Sequence, residues 1–318
     1  MEREKATPLV SMVIPAYNHA AYVRECIGAL IDQDYPNIEL IIIDDGSEDD
    51  TVQRIEEMIP SCRARFVRFE FRARPNRGLT KTMNEAMEWA KGYYFAMIAS
   101  DDVLRPNKTS VLVGCIEGDD ALAGVFSGCE LIDDRGSIVG MIQPRAGSYD
   151  FDDIMDRKAT IVTPSQLLRL DLVRAVGGYA QDLYFEDWYM WLALTKRGFK
   201  LKVVPEVLVQ YRQHVGSMSR AAAKMYEGRK AMLKYFSGDR GYKRSLSWVC
   251  VTAAIDFSRS SRMTSLRLLA EALWHYPLIV VSGKFYSAIA RVLSPTAILD
   301  IAKKRRDKRL ATSSRTRW

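Results

Sequence analysis

The feature that most constrains this chain is an alternation in its first third. Short, apolar, β-branched runs are followed by segments whose apolar residues recur at helical spacing. Residues 9–14, 39–43, 66–71 and 93–98 read as strands. Between them, residues 21–32, 51–59 and 79–91 each place apolar side chains on one helical face, and Gly92 stops the last. Strands alternating with helices dictate parallel pairing through right-handed crossovers. Sheets of this kind collect ligands beyond the carboxyl ends of their strands. The polar clusters of this sequence sit at those ends: Pro15-Ala16-Tyr17-Asn18, Asp44-Asp45-Gly46-Ser47, residues 72–78, and Ser100-Asp101-Asp102.

The later pattern is less regular. It predicts a helix over 106–117, short strands across 121–139 around an Asp133-Asp134-Arg135-Gly136 turn, and a poorly periodic, mobile loop over 141–163. Helices are expected over 164–176, stopped by Gly177-Gly178, and over 186–196, stopped by Gly198. Residues 200–204 and 207–211 read as two strands split by Pro205. The expected fold is α/β: a Rossmann-like, mostly parallel sheet flanked by helices, with a helical appendage after it.

Adjacent aspartates at the end of an apolar strand repel each other, so a cation or a set of donors should balance them. Asp101-Asp102 suits a divalent ion of the magnesium or manganese type held with a diphosphate, and equally a turn in which Asp102 caps the next segment. Asp44-Asp45-Gly46-Ser47 offers a carboxylate for base or ribose donors, or a turn into a capped helix. Glu186-Asp187 opens a helix, where acidity is favoured by the dipole alone. A carboxylate there could also take a proton from a hydroxyl. Trp188 and Trp191 could stack on a sugar or pack a core.

Taken together, the ordered pieces resemble the family 2 glycosyltransferases, which have the GT-A fold. They are Val13-Ile14-Pro15-Ala16-Tyr17-Asn18, Ile43-Asp44-Asp45-Gly46-Ser47, Asn76-Arg77-Gly78 with Asn84, and Ala99-Ser100-Asp101-Asp102, then Gly177-Gly178-Tyr179, Glu186-Asp187-Trp188 and Tyr211-Arg212-Gln213-His214. The likeness covers residues 8–220. It implies an inverting transfer from a nucleotide-sugar donor, of UDP type, to a saccharide or lipid-linked acceptor in surface polysaccharide or glycolipid assembly. Pro15, Tyr17, Asn18 and Asp44 or Asp45 would line the nucleoside pocket. Asn76, Arg77 and Lys81 would approach base or phosphates. Asp101 would meet ribose or donor sugar, Asp102 and His214 the Mn2+ or Mg2+ ion, and Asp187, beside Glu186, would be the catalytic base. Relatives place an aspartate two residues before the pair, where this chain has Ala99, so fewer carboxylates are available for the ion. The Gln-x-x-Arg-Trp pattern of processive synthases does not follow Glu186-Asp187, which implies single sugar addition. The alternatives are a non-catalytic nucleotide-sugar-binding or scaffold protein, which Ala99 favours, and a membrane-docking scaffold whose activity lies in the tail.

Charge divides the chain in two. Residues 221–318 hold 20 Lys+Arg against 6 Asp+Glu, and the remainder holds 26 against 33. A catalytic unit over 1–220 and a basic, amphipathic helical region over 221–318 are the expected domains. The apolar stretch from Leu273 to Val281 is shorter than the roughly 20 residues that cross a bilayer. The region is expected either to pack on the catalytic unit or to lie in an anionic membrane interface, aided by the basic run 303–309. No nucleic-acid module accompanies it. Residues 1–7 lack the apolar segment of a secretory signal, and the five cysteines are scattered. The expectation is a cytoplasmic protein, peripheral at the inner face of the cell membrane in the second reading.

Overall fold

The computed structural model describes residues 7–183, 187–214 and 222–294. Glu186 and the basic run 303–309 lie outside the described residues. The first third alternates as its sequence dictates: β1 (Val10–Ala16), α1 (Val23–Ile31), β2 (Ile38–Asp44), α2 (Thr51–Glu56), α3 (Ile59–Arg65), β3 (Arg68–Ala73), α4 (Leu79–Trp89) and β4 (Tyr94–Met97). Every residue of β2 is buried, as expected of a parallel strand covered on both faces. The single helix expected over 51–59 is two helices, because Pro60 cannot continue the first and opens the second.

The chain continues through β5 (Val103–Leu104), α5 (Lys108–Ile116), β6 (Leu122–Ile132), β7 (Ile138–Ile142), β8 (Gly147–Tyr149), α6 (Phe151–Met155), β9 (Leu167–Arg169), α7 (Leu170–Ala175), α8 (Asp187–Lys196) and β10 (Lys200–Arg212). All ten strands form one sheet with the order β3-β2-β1-β4-β9-β6-β10-β5; β7 pairs with β6 and β8 with β10. The pairs β3–β2, β2–β1, β1–β4 and β6–β10 are parallel, while β9 runs antiparallel between β4 and β6.

Three expectations are corrected here. Residues 141–163 are not a structureless loop. They hold β8 and α6, and α6 opens with a reciprocal cap in which Asp150 accepts from the Asp153 N–H and Asp153 accepts from the Asp150 N–H. Residues 167–169, expected helical, are the strand β9, since pairing on both sides outweighs local periodicity. Pro205 does not split two strands either. β10 runs through it, and register shifts around the exposed Pro205 and Glu206 absorb the missing N–H.

Two apolar cores cover the two faces of the sheet. One packs α1, α2, α3 and α5 against Val10, Met12, Ile14, Leu40 and Ile42. The other packs α4, α6, α7 and α8 against Val13, Ile41, Ile43, Phe95 and Phe126. The remaining helices are α9 (Ala222–Lys234), α10 (Tyr242–Phe257), α11 (Arg262–His275) and α12 (Gly283–Leu293). Met232, Leu233, Leu246 and Val249 belong to the second core, so packing continues past the boundary expected after residue 220. From Cys250 onward the helices form a third core of their own, with Leu268, Leu269, Ala272, Phe285 and Ala288.

Candidate active site

Strand direction decides where side chains gather. β10 is parallel to β6, and β6 and β4 are both antiparallel to β9, so β10 points the same way as β4 and β1. Residues after β1, β2, β3, β4 and β10 therefore emerge at one edge. α8 feeds the amino end of β10, which sends its first residue, Asp187, back towards that carboxyl edge.

The loops after β1 and β2 are laced together. The Asn18 N–H donates to Ser47 Oγ (2.9 Å), Asn18 Oδ1 accepts the Glu48 N–H (2.8 Å), and the His19 N–H donates to Thr51 Oγ1 (2.8 Å). Asn18 has φ 53° and, with Arg157 at 55°, is one of two non-glycine residues in the left-handed region among the described residues. Asparagine tolerates that conformation better than most side chains.

Asp44 and Asp45 are buried and already partnered. Asp44 accepts from the N–H of Gly46 (3.1 Å) and Ser47 (2.9 Å) and from Ser47 Oγ (2.5 Å), which closes the turn after β2. Asp45 accepts from the N–H of Arg77 (2.8 Å) and Gly78 (2.9 Å) and is ion-paired with Arg74. Arg74 also binds Glu85 (2.8 Å) and Thr82 (2.8 Å), so this pair shapes the loop that carries Asn76 and Arg77. Gly46 (φ 79°) is obligatory there: a Cβ would lie 2.6 Å from the Asn76 nitrogen. Asn76, Arg77, Lys81 and Tyr17 are exposed, and Pro15 is half-buried. Asn84 explains the Gly177-Gly178-Tyr179 piece. It accepts the Tyr179 N–H and donates to the Tyr179 carbonyl (both 2.8 Å), and a Cβ on Gly178 would sit 2.7 Å from its Oδ1.

The aspartate pair after β4 is held by Arg212, which is 2% exposed. Its N–H donates to Asp102 Oδ1 (2.8 Å), its Nε to the Asp101 carbonyl (2.8 Å), its Nη1 to the Asp133 carbonyl (3.0 Å) and its Nη2 to Glu25 (2.5 Å). Its guanidinium lies 4.7 Å from the Tyr22 ring centroid. Asp101 faces two histidines. Its Oδ2 is 3.0 Å from His214 Nε2, and its Oδ1 is 3.7 Å from His19 Nδ1. One ring nitrogen of His19, one of His214 and an Asp101 oxygen all lie within 4.8 Å of one another. Asp101, expected at the ribose or donor sugar, is thus the carboxylate beside the histidines.

Asp102 is fully buried, and its Oδ2 has no hydrogen-bond partner. Burial, with the charge of Asp101, pushes its carboxyl well above the usual range. A buried carboxylate oxygen without a donor is costly. The Asp101 carboxylate with the imidazole nitrogens of His19 and His214 forms a donor set that fits a divalent cation. Burial, opposed by Asp101, holds His19 below the ordinary histidine range.

Asp187 starts α8 and is half-buried. Its Oδ2 accepts from Thr163 Oγ1 (2.7 Å) and its Oδ1 from the Trp188 N–H (2.6 Å). Trp188 and Trp191 are both 7% exposed within the second core, which removes them as a stacking surface for a sugar. Sequence reasoning missed Arg212, Arg74 and the placement of His19. Arg212 stood inside the Tyr-Arg-Gln-His piece, but its four partners come from distant parts of the chain.

Residues 11–164 match the family model described as Glycosyl transferase family 2. A chondroitin synthase of Pasteurella multocida is 30% identical over 195 residues, covering 60% of this chain and 19% of that protein. The chain therefore spans about a fifth of that relative's length. A glycosyltransferase of Rickettsia typhi is 28% identical over 247 residues, 74% of each chain. Among solved structures, S. aureus TarS 1-349 in complex with UDP-GlcNAc superposes with a TM-score of 0.64 at 16% identity, covering 89% of this chain and 88% of that one. A mannosyltransferase of Pyrobaculum calidifontis in complex with GDP-Man and Mn2+ gives 0.58 at 14% identity, covering 91% and 87%. The fold is thus that of the GT-A transferases.

Proposed function

The chain belongs, through residues 11–164, to the family 2 glycosyltransferases, and we propose that it transfers one sugar from a nucleotide diphosphate donor to an acceptor hydroxyl with inversion. The observation that carries this reading is the carboxyl edge itself, where Asp101 meets His214 and His19, and where its neighbour Asp102 buries an unsatisfied oxygen. The donor is of UDP type, by analogy with the UDP-GlcNAc complex of TarS. Pro15, Tyr17, Asn18 and the turn held by Asp44 and Asp45 take the nucleoside, and Asn76, Arg77 and Lys81 take base and phosphates. His214 and Asp101 hold Mn2+ or Mg2+, with Asp102, expected at the ion, next to Asp101 in the chain. When bound, the ion supplies positive charge against the departing diphosphate. Asp187 accepts the proton of the acceptor hydroxyl as the new bond forms, and attack opposite the leaving group inverts the anomeric carbon. Thr163 orients that carboxylate by donating to the oxygen Oδ2. Glu186 stands beside the base in sequence.

The experiment is nucleotide release from a panel of UDP- and GDP-sugars with Mn2+ and a saccharide acceptor. Release that depends on acceptor and ion is expected. Neither release nor nucleotide binding with any donor would overturn the assignment.

The acceptor is a saccharide, presented on a lipid, and the C-terminal helices dock the enzyme on an anionic bilayer. Support comes from α11. It buries Leu268, Leu269 and Ala272, yet its other face exposes Met263, Leu266, Leu273 and Trp274, the last at 84%. These outward residues recur at helical spacing, so the helix is apolar on both sides. Leu278 and Val281 extend the exposed face, and Arg262, Arg267, Lys284 and Arg291 lie exposed on the same helices. An apolar face bordered by cations complements an anionic interface. No helix among the described residues is long and apolar enough to cross a membrane. Sedimentation with phosphatidylglycerol vesicles but not phosphatidylcholine vesicles is expected, with a blue shift of Trp274 emission that Trp274→Ser removes. Equal behaviour with both vesicles, or self-association through this face, would contradict it.

A further inference from the structure

We infer that His19 is a third protein ligand of the cation site, so that two imidazoles and one carboxylate hold the ion. This rests on the proposal that a divalent ion binds at the aspartate pair, and it extends that proposal to a residue with no role in it. The observation is geometric. Nitrogens of His19 and His214 and an oxygen of Asp101 come within 4.8 Å of one another, from the loop after β1, the end of β10 and the end of β4. Ligand atoms about 2.0–2.2 Å from one ion lie roughly 3–4 Å apart at its corners. The separations of 3.0 Å from Asp101 to His214 and 3.7 Å from Asp101 to His19 are of that size.

The surroundings of His19 suit a ligand. Its backbone is fixed by Thr51, and Ser100 Oγ lies 2.8 Å from its Nδ1. The same Nδ1 faces Asp101 Oδ1, so it is the nitrogen an ion would take, in place of its contact with Ser100. The two histidine rings meet edge to face at 5.5 Å and 83°, and Tyr22 packs against both, 6.1 Å from His19 and 5.5 Å from His214. The rings are therefore packed in place with both imidazoles beside Asp101. Three protein ligands on one side of an ion leave the other positions open for diphosphate oxygens and water.

The donor set also predicts which ion is chosen. Magnesium prefers oxygen ligands and an octahedral shell of waters and phosphates. Imidazole suits manganese less than zinc or nickel, but all three better than magnesium. A site with two imidazoles should therefore favour transition ions over Mg2+. Removing one imidazole should narrow that preference.

The test is Mn2+ binding to the full chain in the presence of UDP, followed by calorimetry and by the 14N couplings of pulsed electron paramagnetic resonance. The expected result is two imidazole nitrogens on the bound ion. In His19→Ala one nitrogen remains, Mn2+ affinity falls roughly 10-fold or more, and the Mn2+/Mg2+ preference shrinks. His19→Asp, which restores a ligand of another type, recovers affinity but not the preference. His19→Gln, which retains bulk and hydrogen bonding, guards against a folding defect and should behave as His19→Ala. A single imidazole in the wild-type chain, or wild-type affinity and preference in His19→Ala, overturns the role of His19 and leaves the cation site itself standing. Absence of Mn2+ binding in the wild-type chain with UDP would remove both.

Discussion

The two ends of the parallel strands β3-β2-β1-β4 each bury a carboxylate, and they treat it in opposite ways. At the amino end, Glu39 is fully buried and fully partnered. It accepts from Ser11 Oγ (2.5 Å), the N–H groups of Lys91 (2.5 Å) and Gly92 (3.1 Å), and Arg68 (2.8 Å), and so ties β1, β2, β3 and the start of β4 together. At the carboxyl end, Asp102 is equally buried but has one donor, the Arg212 N–H, a like charge beside it, and an oxygen with none. A charge satisfied by its own fold is architecture. A carboxyl left short of partners by a fold able to satisfy another is held ready for something from outside. The contrast separates the residues that keep this sheet together from those that use it.

Attempts to break the contrast should give effects of different kinds. The largest falls on rate. Asp187→Asn keeps size and the hydrogen bond from Thr163 but cannot take a proton, so turnover should fall about 10²–10⁴-fold with donor affinity unchanged. Unchanged turnover in steady-state kinetics would remove Asp187 as the base. The next falls on stability. Glu39→Ala leaves several buried donors without an acceptor and should cost about 3–5 kcal/mol in urea unfolding, as loss of one partner of a buried ion pair does. A loss under about 1 kcal/mol, the size of an ordinary surface pair, would mean that the amino edge is not held by this carboxylate.

A third buried charge sharpens the comparison through pH. Lys108 is 1% exposed, its Nζ donates to the Gln166 carbonyl at 3.0 Å, and burial pushes its ammonium down to about 7 from 10.5. The folded chain then holds this lysine neutral above about pH 7, while the unfolded chain keeps it protonated up to 10.5. Folding stability should therefore rise from pH 7 towards 10.5, by about 1.4 kcal/mol per unit at most from this group. Lys108→Met should flatten that part of the wild-type profile, measured by urea unfolding at about pH 7.5 and about pH 9.5. Parallel profiles would contradict it. Gly46→Ala should act on both stability and binding. The left-handed φ alone costs about 1–2 kcal/mol, the overlap with the backbone nitrogen of Asn76 adds to it, and the displaced loop should weaken nucleotide affinity, read by urea unfolding and UDP titration.

Much of this was legible in the sequence because it is local. The strand–helix alternation up to β4 follows from apolar spacing, and the polar clusters fall at strand ends because a parallel sheet puts them there. The reciprocal Asp150–Asp153 cap was also present as a four-residue spacing, inside a stretch whose weak periodicity read as loop. β9 could not be read, since three residues with helical texture become a strand only when β4 and β6 flank them. The site was legible as a set of carboxylates and a late histidine, but not in its division of labour. His19 reaches Ser100 across 81 positions, and Arg212 reaches Asp101 across 111, distances at which no spacing rule operates. Trp188 and Trp191 show the converse: residue type allowed a sugar platform, and burial decided against it.

Asp101 with its two histidines, and the unsatisfied carboxyl of Asp102 beside it, form the proposed cation-dependent nucleotide site. Titration calorimetry of UDP into the wild-type chain and Asp102→Asn, each with Mn2+ and with a chelator, addresses it directly. Binding by the wild-type chain with Mn2+ is expected, with marked weakening both on chelation and in Asp102→Asn, whose melting temperature without metal should not fall. UDP binding of equal strength in all four conditions would contradict it.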